Sequence, residues 1–583
     1  GPQDDPCLIT RPVKVTGNRA LDFGVRSVLV SRAGRFDFGA DGGAIRCGSL
    51  LAYSSRRRLI KAFGATDEGP QSGDIEILAR RSCSLAARPC SVEYDCHLGP
   101  CDARRCSLRS SWVCAQDADC TLGVCQPTRR CSANDRVRCL SDSDCNLGVC
   151  GAQLVCRASG AQPVACGEDS DCEFGSCSVG EARIDLGGGI NGRSTIPGLI
   201  SIEAVGDITL RRTIDVSGTA VGGDGGSVSV NSSAGNVSVL GKIDCTGSYG
   251  GELGIRAAGN IATGGPLRCN GGDGSAGYIE IRAGGDISIG NDVTANGITY
   301  AGAGGEILVH AEGNLAVERG SFEDPVRIGA DGADGPPDSE NGGDGGIVDL
   351  SAHGNGLVGR HARITANAGT TYGTAGEIYI DVGGSLAFAG SIDASGAGPE
   401  GGWGAVSLNA GDAISVEDSA SIRLHSGDLS DAGELYVGSW HGDLTLRGGI
   451  IVEGGSGRGP FHPALGVEAC RIRTEAGSSL FSSARGATTR LIAHESMTLG
   501  AGAGIRSKYG TNVLRYRDAA KPPVVLSSVS PAPTIEVDSG MAGCPVCGNG
   551  EVDEGEQCDD GDTIADDQCS ADCLLAAFAS TPN

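Results

Sequence analysis

SVSVNSSAGNVSVLGKIDCTG at 227–247 lines up with LGIRAAGNIATGGPLRCNG at 253–271 and with YIEIRAGGDISIGNDVTANG at 278–297. Each row holds three short apolar-alternating runs separated by Gly, and each closes in a Gly-rich loop before the next row begins. A period of 20–50 residues built from strand-like units is the mark of a stacked repeat. Alternation puts every second Val, Ile or Leu on one side of its strand, where it can stack on the row below. Three strands per turn in parallel register make an all-β chain: a right-handed, single-stranded parallel β-helix (β-solenoid), the hand being the usual one for parallel crossovers. Gly at the corners is expected to supply positive φ and tight bends.

The same grammar runs outward in both directions. The first strand of a coil recurs at Leu199, Ser227, Leu253, Tyr278, Glu306, Ile347, Glu377, Ala405 and Glu434. The long step from Glu306 to Ile347 holds a longer loop at 330–341. Residues 21–82 read as the first coils and 178–518 as the main β-helix, about 12 coils in all, or roughly 60 Å of stacked strands. Residues 1–20 read as an N-terminal cap or arm, because a first coil leaves unpaired backbone. Between the two solenoid stretches, 83–177 carries sixteen Cys in four units of the form C-x(6–9)-C-x5-C-x4-C. A unit of that size cannot bury a core, so disulfides must hold it. The block reads as a disulfide-rich arm inserted between coils. Residues 519–543, with Pro522, Pro523, Pro531 and Pro533, read as an extended linker. Residues 544–583 read as a small Cys-rich module and tail.

Composition limits function. Gly is 97 of 583 residues without a G-X-Y period, which excludes collagen. The net charge of −26 argues against nucleic acid and against anionic membrane surfaces. No run approaches 18 apolar residues, so no transmembrane helix is expected. Twenty-six Cys in regular spacing point to an oxidising compartment. The chain opens Gly1-Pro2-Gln3 without an apolar h-region, which reads as an exported, extracellular or cell-surface protein with its signal peptide removed.

Candidate sites follow from position in the repeat. Cys245 and Cys269 occupy matching places in adjacent coils, about 4.8 Å apart, and are expected to be bridged. Cys470–Cys544 and Cys7–Cys47 follow by elimination. Glu556, Asp559, Asp560 and Asp562 crowd one Cys-closed loop and suit calcium, with a solvated acidic turn as the alternative. Tyr249, Tyr300, Tyr372 and Trp403 sit in corner loops and offer a row for glycans or a partner chain, or simply cover loop backbone. The strand-face acids Glu203, Glu280, Asp349 and Asp381 do not gather with His or Arg in the sequence, so no catalytic residues are assigned. The eight His are scattered, and neither zinc nor haem is expected. The glycine runs are not phosphate loops, since no crossover helix follows them.

CGNGE at 547–551, EQCDDG at 556–561 and DQCSADC at 567–573 resemble the Myxococcus cysteine-rich repeat, a module at the ends of exported proteins of myxobacteria and their relatives. Asp567-Gln568 stands where that family has Asp-Gly. The module makes Cys547, Cys558, Cys569 and Cys573 disulfide candidates. The coil pattern is similar to that of filamentous-haemagglutinin-like surface proteins, which implies surface placement and carries over no catalytic residue. The expected function is a subunit of an extracellular structural assembly, self-associating into an end-to-end fibre. A glycan-binding adhesin and a polysaccharide lyase or hydrolase are the alternatives.

Overall fold

The structure is a computed structural model. It describes residues 7–24, 26–52, 59–66, 69–79, 81–83, 164–166, 182–218, 222–318, 325–336, 342–370, 372–398, 400–427, 429–430, 433–454 and 465–544. The described residues form an all-β parallel solenoid of about 13 turns, and no helix occurs among them. Among the described residues no helix is long and apolar enough to cross a membrane.

Two compact units are present. In the first, each coil's strands pair in parallel with those of the next. Arg19–Asp22 pairs with Gly43–Cys47, which pairs with Ile75–Ala79, then Leu199–Ala204, then Ser227–Ser232. Pairing thus passes from residue 79 to residue 199 in register, Ile75 on Ile200 and Ala79 on Ala204. Residues 84–163 and 167–181, the bulk of the expected arm, lie outside the described residues. Residues 1–20 do not serve only as a cap or arm. Cys7–Ile9 pairs on Ser27–Val30 and Pro12–Lys14 on Arg35–Asp37, so the coil pattern already holds from residue 7.

In the second unit the first-strand column runs Tyr278–Ala283, Glu306–Ala311, Ile347–Ala352, Glu377–Val382, Ala405–Ala410 and Glu434–Ser439. Inward positions stack like on like: Ile281, Val309, Leu350, Ile380, Leu408 and Val437 are all essentially inaccessible. The core is therefore a column of interchangeable aliphatic layers, which is why the chain manages with so few aromatics. Two polar ladders run beside it. The Asn314 N–H donates to Asp286 Oδ1, the Asn355 N–H to Asn314 Oδ1 and the Ser385 N–H to Asn355 Oδ1, at 2.7–2.8 Å. A second ladder links Asn270, Asn296, Asp331, Asn367 and Ser395 in the same way. Each rung satisfies a corner N–H that no strand partner reaches.

Positive φ is found at Gly222 and Gly398 in the corner loops, as expected, but the glycines just before the first strands work differently. Gly277, Gly305, Gly346 and Gly376 precede four successive first strands, and none has positive φ. Each lies against the carbonyl oxygen of the corresponding glycine one coil back (Gly251, Gly277, Gly305 and Gly346), so close that a Cβ would fall inside 3.0 Å. Glycine is required here by the approach of backbone to backbone.

The residues expected as a linker are a coil. Val524–Val525, Ser528–Ser530 and Thr534–Val537 pair in parallel with the strands of the coil before. Proline marks edge strands as readily as linkers.

Candidate functional site

The outer face of the first-strand column in the second unit gathers most of the chemistry. Register sets three rows along it. One is Glu280, Leu308, Asp349, Tyr379 and Ser407; a second is Arg282, His310, Ser351, Asp381 and Asn409; a third begins Tyr278, Glu306, Ile347 and Glu377. Three of the four strand-face acids therefore do meet other functional groups, against the sequence expectation. Glu280 pairs with Arg282 at 2.6 Å. Asp349 and Asp381 lie diagonally on neighbouring coils with His310 and Tyr379 around them. Glu203 stands apart, accepting from Ser201 Oγ at 3.2 Å.

Burial and charge act on Asp349 here. Asp349 is held above the ordinary carboxyl range, first by burial and then by the charge of Asp381; the nearby His310 opposes the shift. Its Oδ1 is buried without a hydrogen-bond partner. Asp381 accepts from Asn409 Nδ2. The Tyr379 hydroxyl donates to Glu377 Oε2 at 2.8 Å, and its pKa is pushed up to about 12 by burial first and this bond second.

At the end of the same strand, His310, Glu312 and His353 converge, with their ligand atoms all within 4.8 Å of one another. Glu312 bridges the pair: Oε1 lies 3.2 Å from His310 Nε2, and Oε2 lies 2.6 Å from His353 Nδ1. The rings meet edge to face at 5.4 Å. Sequence reasoning missed this group because the two His are 43 residues apart. The strand register carries the signal: Ala311 pairs with Ala352, so Glu312 and His353 are the next residues on each strand.

The aromatic residues occupy corner loops as expected, with Tyr249, Tyr300, Tyr372 and Trp403 38–67% exposed. Tyr300 and Tyr372 take the left-handed conformation (φ 52° and 47°), uncommon for a bulky side chain and a sign of local strain. Tyr249 lies over Gly274 of the next coil, where a side chain would strike its ring. Among the described residues no ring contact joins the four.

Cys245 and Cys269 form a disulfide with Cα atoms 4.5 Å apart, inside the core stack. Cys470 and Cys544 form another, at 5.5 Å. His494 sits beside that second bridge, with Nδ1 2.9 Å from the Ala542 carbonyl and Nε2 3.0 Å from Glu468. Both partners only accept, so both ring nitrogens donate. The hydrogen bond to Glu468 accordingly raises the pKa of His494, and that from His494 lowers the pKa of Glu468.

The Cys7–Cys47 pairing is corrected: both are free thiols. The strand of Cys7 pairs on Ser27–Val30, and that in turn on Ser49–Ala52, the strand directly after Cys47. The two Cys are thus two coil levels apart, about 10 Å, beyond disulfide reach. Burial and the charge of Asp22 push the Cys47 thiol up to about 12, which leaves it unreactive. Glu556, Asp559, Asp560 and Asp562, with Cys547, Cys558, Cys569 and Cys573, lie outside the described residues. No protein-family model, curated protein or solved structure matches the chain.

Proposed function

We propose that the chain is an exported structural subunit that joins end to end with further copies through the edge of its last coil. One observation carries this reading. The inward column of Leu491 and Leu514 continues into Ile535, and that of Ala493 and Tyr516 into Val537. Leu491 and Leu514 are fully buried, yet Ile535 and Val537 are 54% and 51% exposed, and Leu526 beside them is 64% exposed. Among the described residues, nothing covers the solenoid interior at this end. Among the described residues the last strands are paired on one side only. An unpaired edge with apolar side chains is a template for strand addition, and a head-to-tail contact of this kind generates filaments. The disulfides, the acidic surface and the resemblance to exported surface proteins and to the cysteine-rich repeat support an extracellular location.

The test is electron microscopy of the purified full chain. Filaments with one subunit per axial repeat are expected from the native sequence. The double variant Ile535→Lys/Val537→Lys should give single particles only. Single particles from both would end the proposal.

A second reading, action on a polysaccharide, is favoured by the Asp349–Asp381 pair alone. Release of reducing or unsaturated ends from a polysaccharide panel, lost at least about 100-fold in Asp349→Asn, would support it. No release by the native protein would dismiss it.

A further inference from the structure

We propose that His310, Glu312 and His353 form a binding site for a divalent first-row transition ion of the zinc type. The argument starts from a hydrogen atom. Ser351 Oγ donates its one hydroxyl hydrogen to the Val309 carbonyl at 3.1 Å, since a carbonyl can only accept. It must then accept from His310 Nδ1, 3.0 Å away. That places a hydrogen on Nδ1 and turns Nε2 toward Glu312 Oε1, 3.2 Å away. A lone pair facing a carboxylate oxygen needs a proton or a cation between them. His353 Nδ1 faces the other carboxylate oxygen, Glu312 Oε2, at 2.6 Å. Two imidazole nitrogens thus converge on one carboxylate, and a single ion takes all three groups as ligands.

The arrangement matches what metal ligation requires. Tetrahedral zinc with bonds of about 2.0–2.1 Å sets its ligand atoms roughly 3.4 Å apart. The His–Glu separations of 3.2 and 2.6 Å fall below that value, so small side-chain rotations open the set to fit an ion. The His310–Ser351–Val309 relay is the outer support that a metal-bound imidazole ordinarily has, and it pre-sets the correct nitrogen. Two imidazoles and one carboxylate favour zinc, copper or nickel over calcium, which takes oxygen ligands throughout.

The surroundings allow an ion to enter and stay. The His353 and Glu312 side chains are 67% and 50% exposed, and the His310 side chain 34%. Three protein ligands leave a position for water. The site also clips the strand Glu306–Ala311 to Ile347–Ala352 across a connection longer than those of the neighbouring coils, where a tie removes more chain entropy. The acids Asp349 and Asp381 lie on the same outer face, so a bound ion would also reduce the like-charge repulsion there.

The experiment is a titration of chelator-treated full-length protein with Zn2+ by calorimetry, and with Co2+ by visible absorption. The native chain should bind one ion that gives the ligand-field bands of a low-coordinate cobalt site. His353→Ala and Glu312→Gln should each weaken binding at least about tenfold. His310→Ala/His353→Ala should abolish the cobalt bands while the circular dichroism spectrum stays unchanged. Ser351→Ala should weaken binding while leaving all three ligands in place. No cobalt bands in the native protein, or affinity unchanged in the double variant, would overturn the site. The second result would place any bound ion elsewhere in this acidic chain.

Discussion

Gly346→Ala destabilises the chain by about 3 kcal/mol or more, at the upper end of what overpacking costs, and lowers the melting temperature measured by circular dichroism. The added methyl overlaps the carbonyl oxygen of Gly305. That oxygen belongs to the ladder, accepting from the Ile347 N–H at 2.9 Å, so it cannot move aside without opening the coil. Gly254→Ala is the control: no atom lies within 4 Å of the position where its Cβ would stand. That variant is expected to be neutral, or more stable by about 0.5 kcal/mol through the smaller entropy of its unfolded chain. Equal effects at the two positions would mean that the corner glycines serve flexibility and not close approach.

Val317→Asp and Ala316→Asp, one residue apart, should differ by about 4 kcal/mol in urea unfolding. Val317 is fully buried between Ile289 and Val358 in the stack. A carboxyl there has no partner, and an uncompensated buried charge costs about 3–5 kcal/mol. Ala316 faces outward between Ser288 and Leu357, where a substitution ordinarily stays within about 0.5 kcal/mol. Similar losses at both sites would refute the inward–outward alternation on which the solenoid rests.

The solenoid was legible because its physics repeats. Alternation fixes which side chains stack, and a constant step fixes which rows meet. First strands begin at Leu199, Ser227, Tyr278, Glu306, Ile347, Glu377, Ala405 and Glu434 as read from the sequence; only the third differs, starting at Glu252 and not Leu253. Cys245 and Cys269 were readable for the same reason, being one coil apart at equivalent places. Cys7 and Cys47 failed because elimination ignored coil level. The last coil was hidden by its prolines, which an edge strand tolerates and an inner one does not.

The chemistry was less legible because it depends on register and not on spacing. His310 and His353 look scattered until the long step between Glu306 and Ile347 is removed; then His353 falls opposite Glu312. Asp349 and Asp381 meet only diagonally, across two coils. The first polar ladder is written in the sequence as Gly285-Asp286, Gly313-Asn314 and Gly354-Asn355, one pair per coil. They are turn residues whose side chains also reach the backbone of the next coil. The aromatic residues Tyr249, Tyr300, Tyr372 and Trp403 lie in exposed corner loops, the position the sequence pattern gives them.

The central claim is that the open interior at Ile535 and Val537 is a joint between copies. Sedimentation velocity across a range of concentrations tests it most directly. The native chain should shift to larger species as concentration rises, while Ile535→Lys/Val537→Lys stays at one sedimentation coefficient throughout. A native chain that sediments as a single monomeric species at every concentration would contradict it.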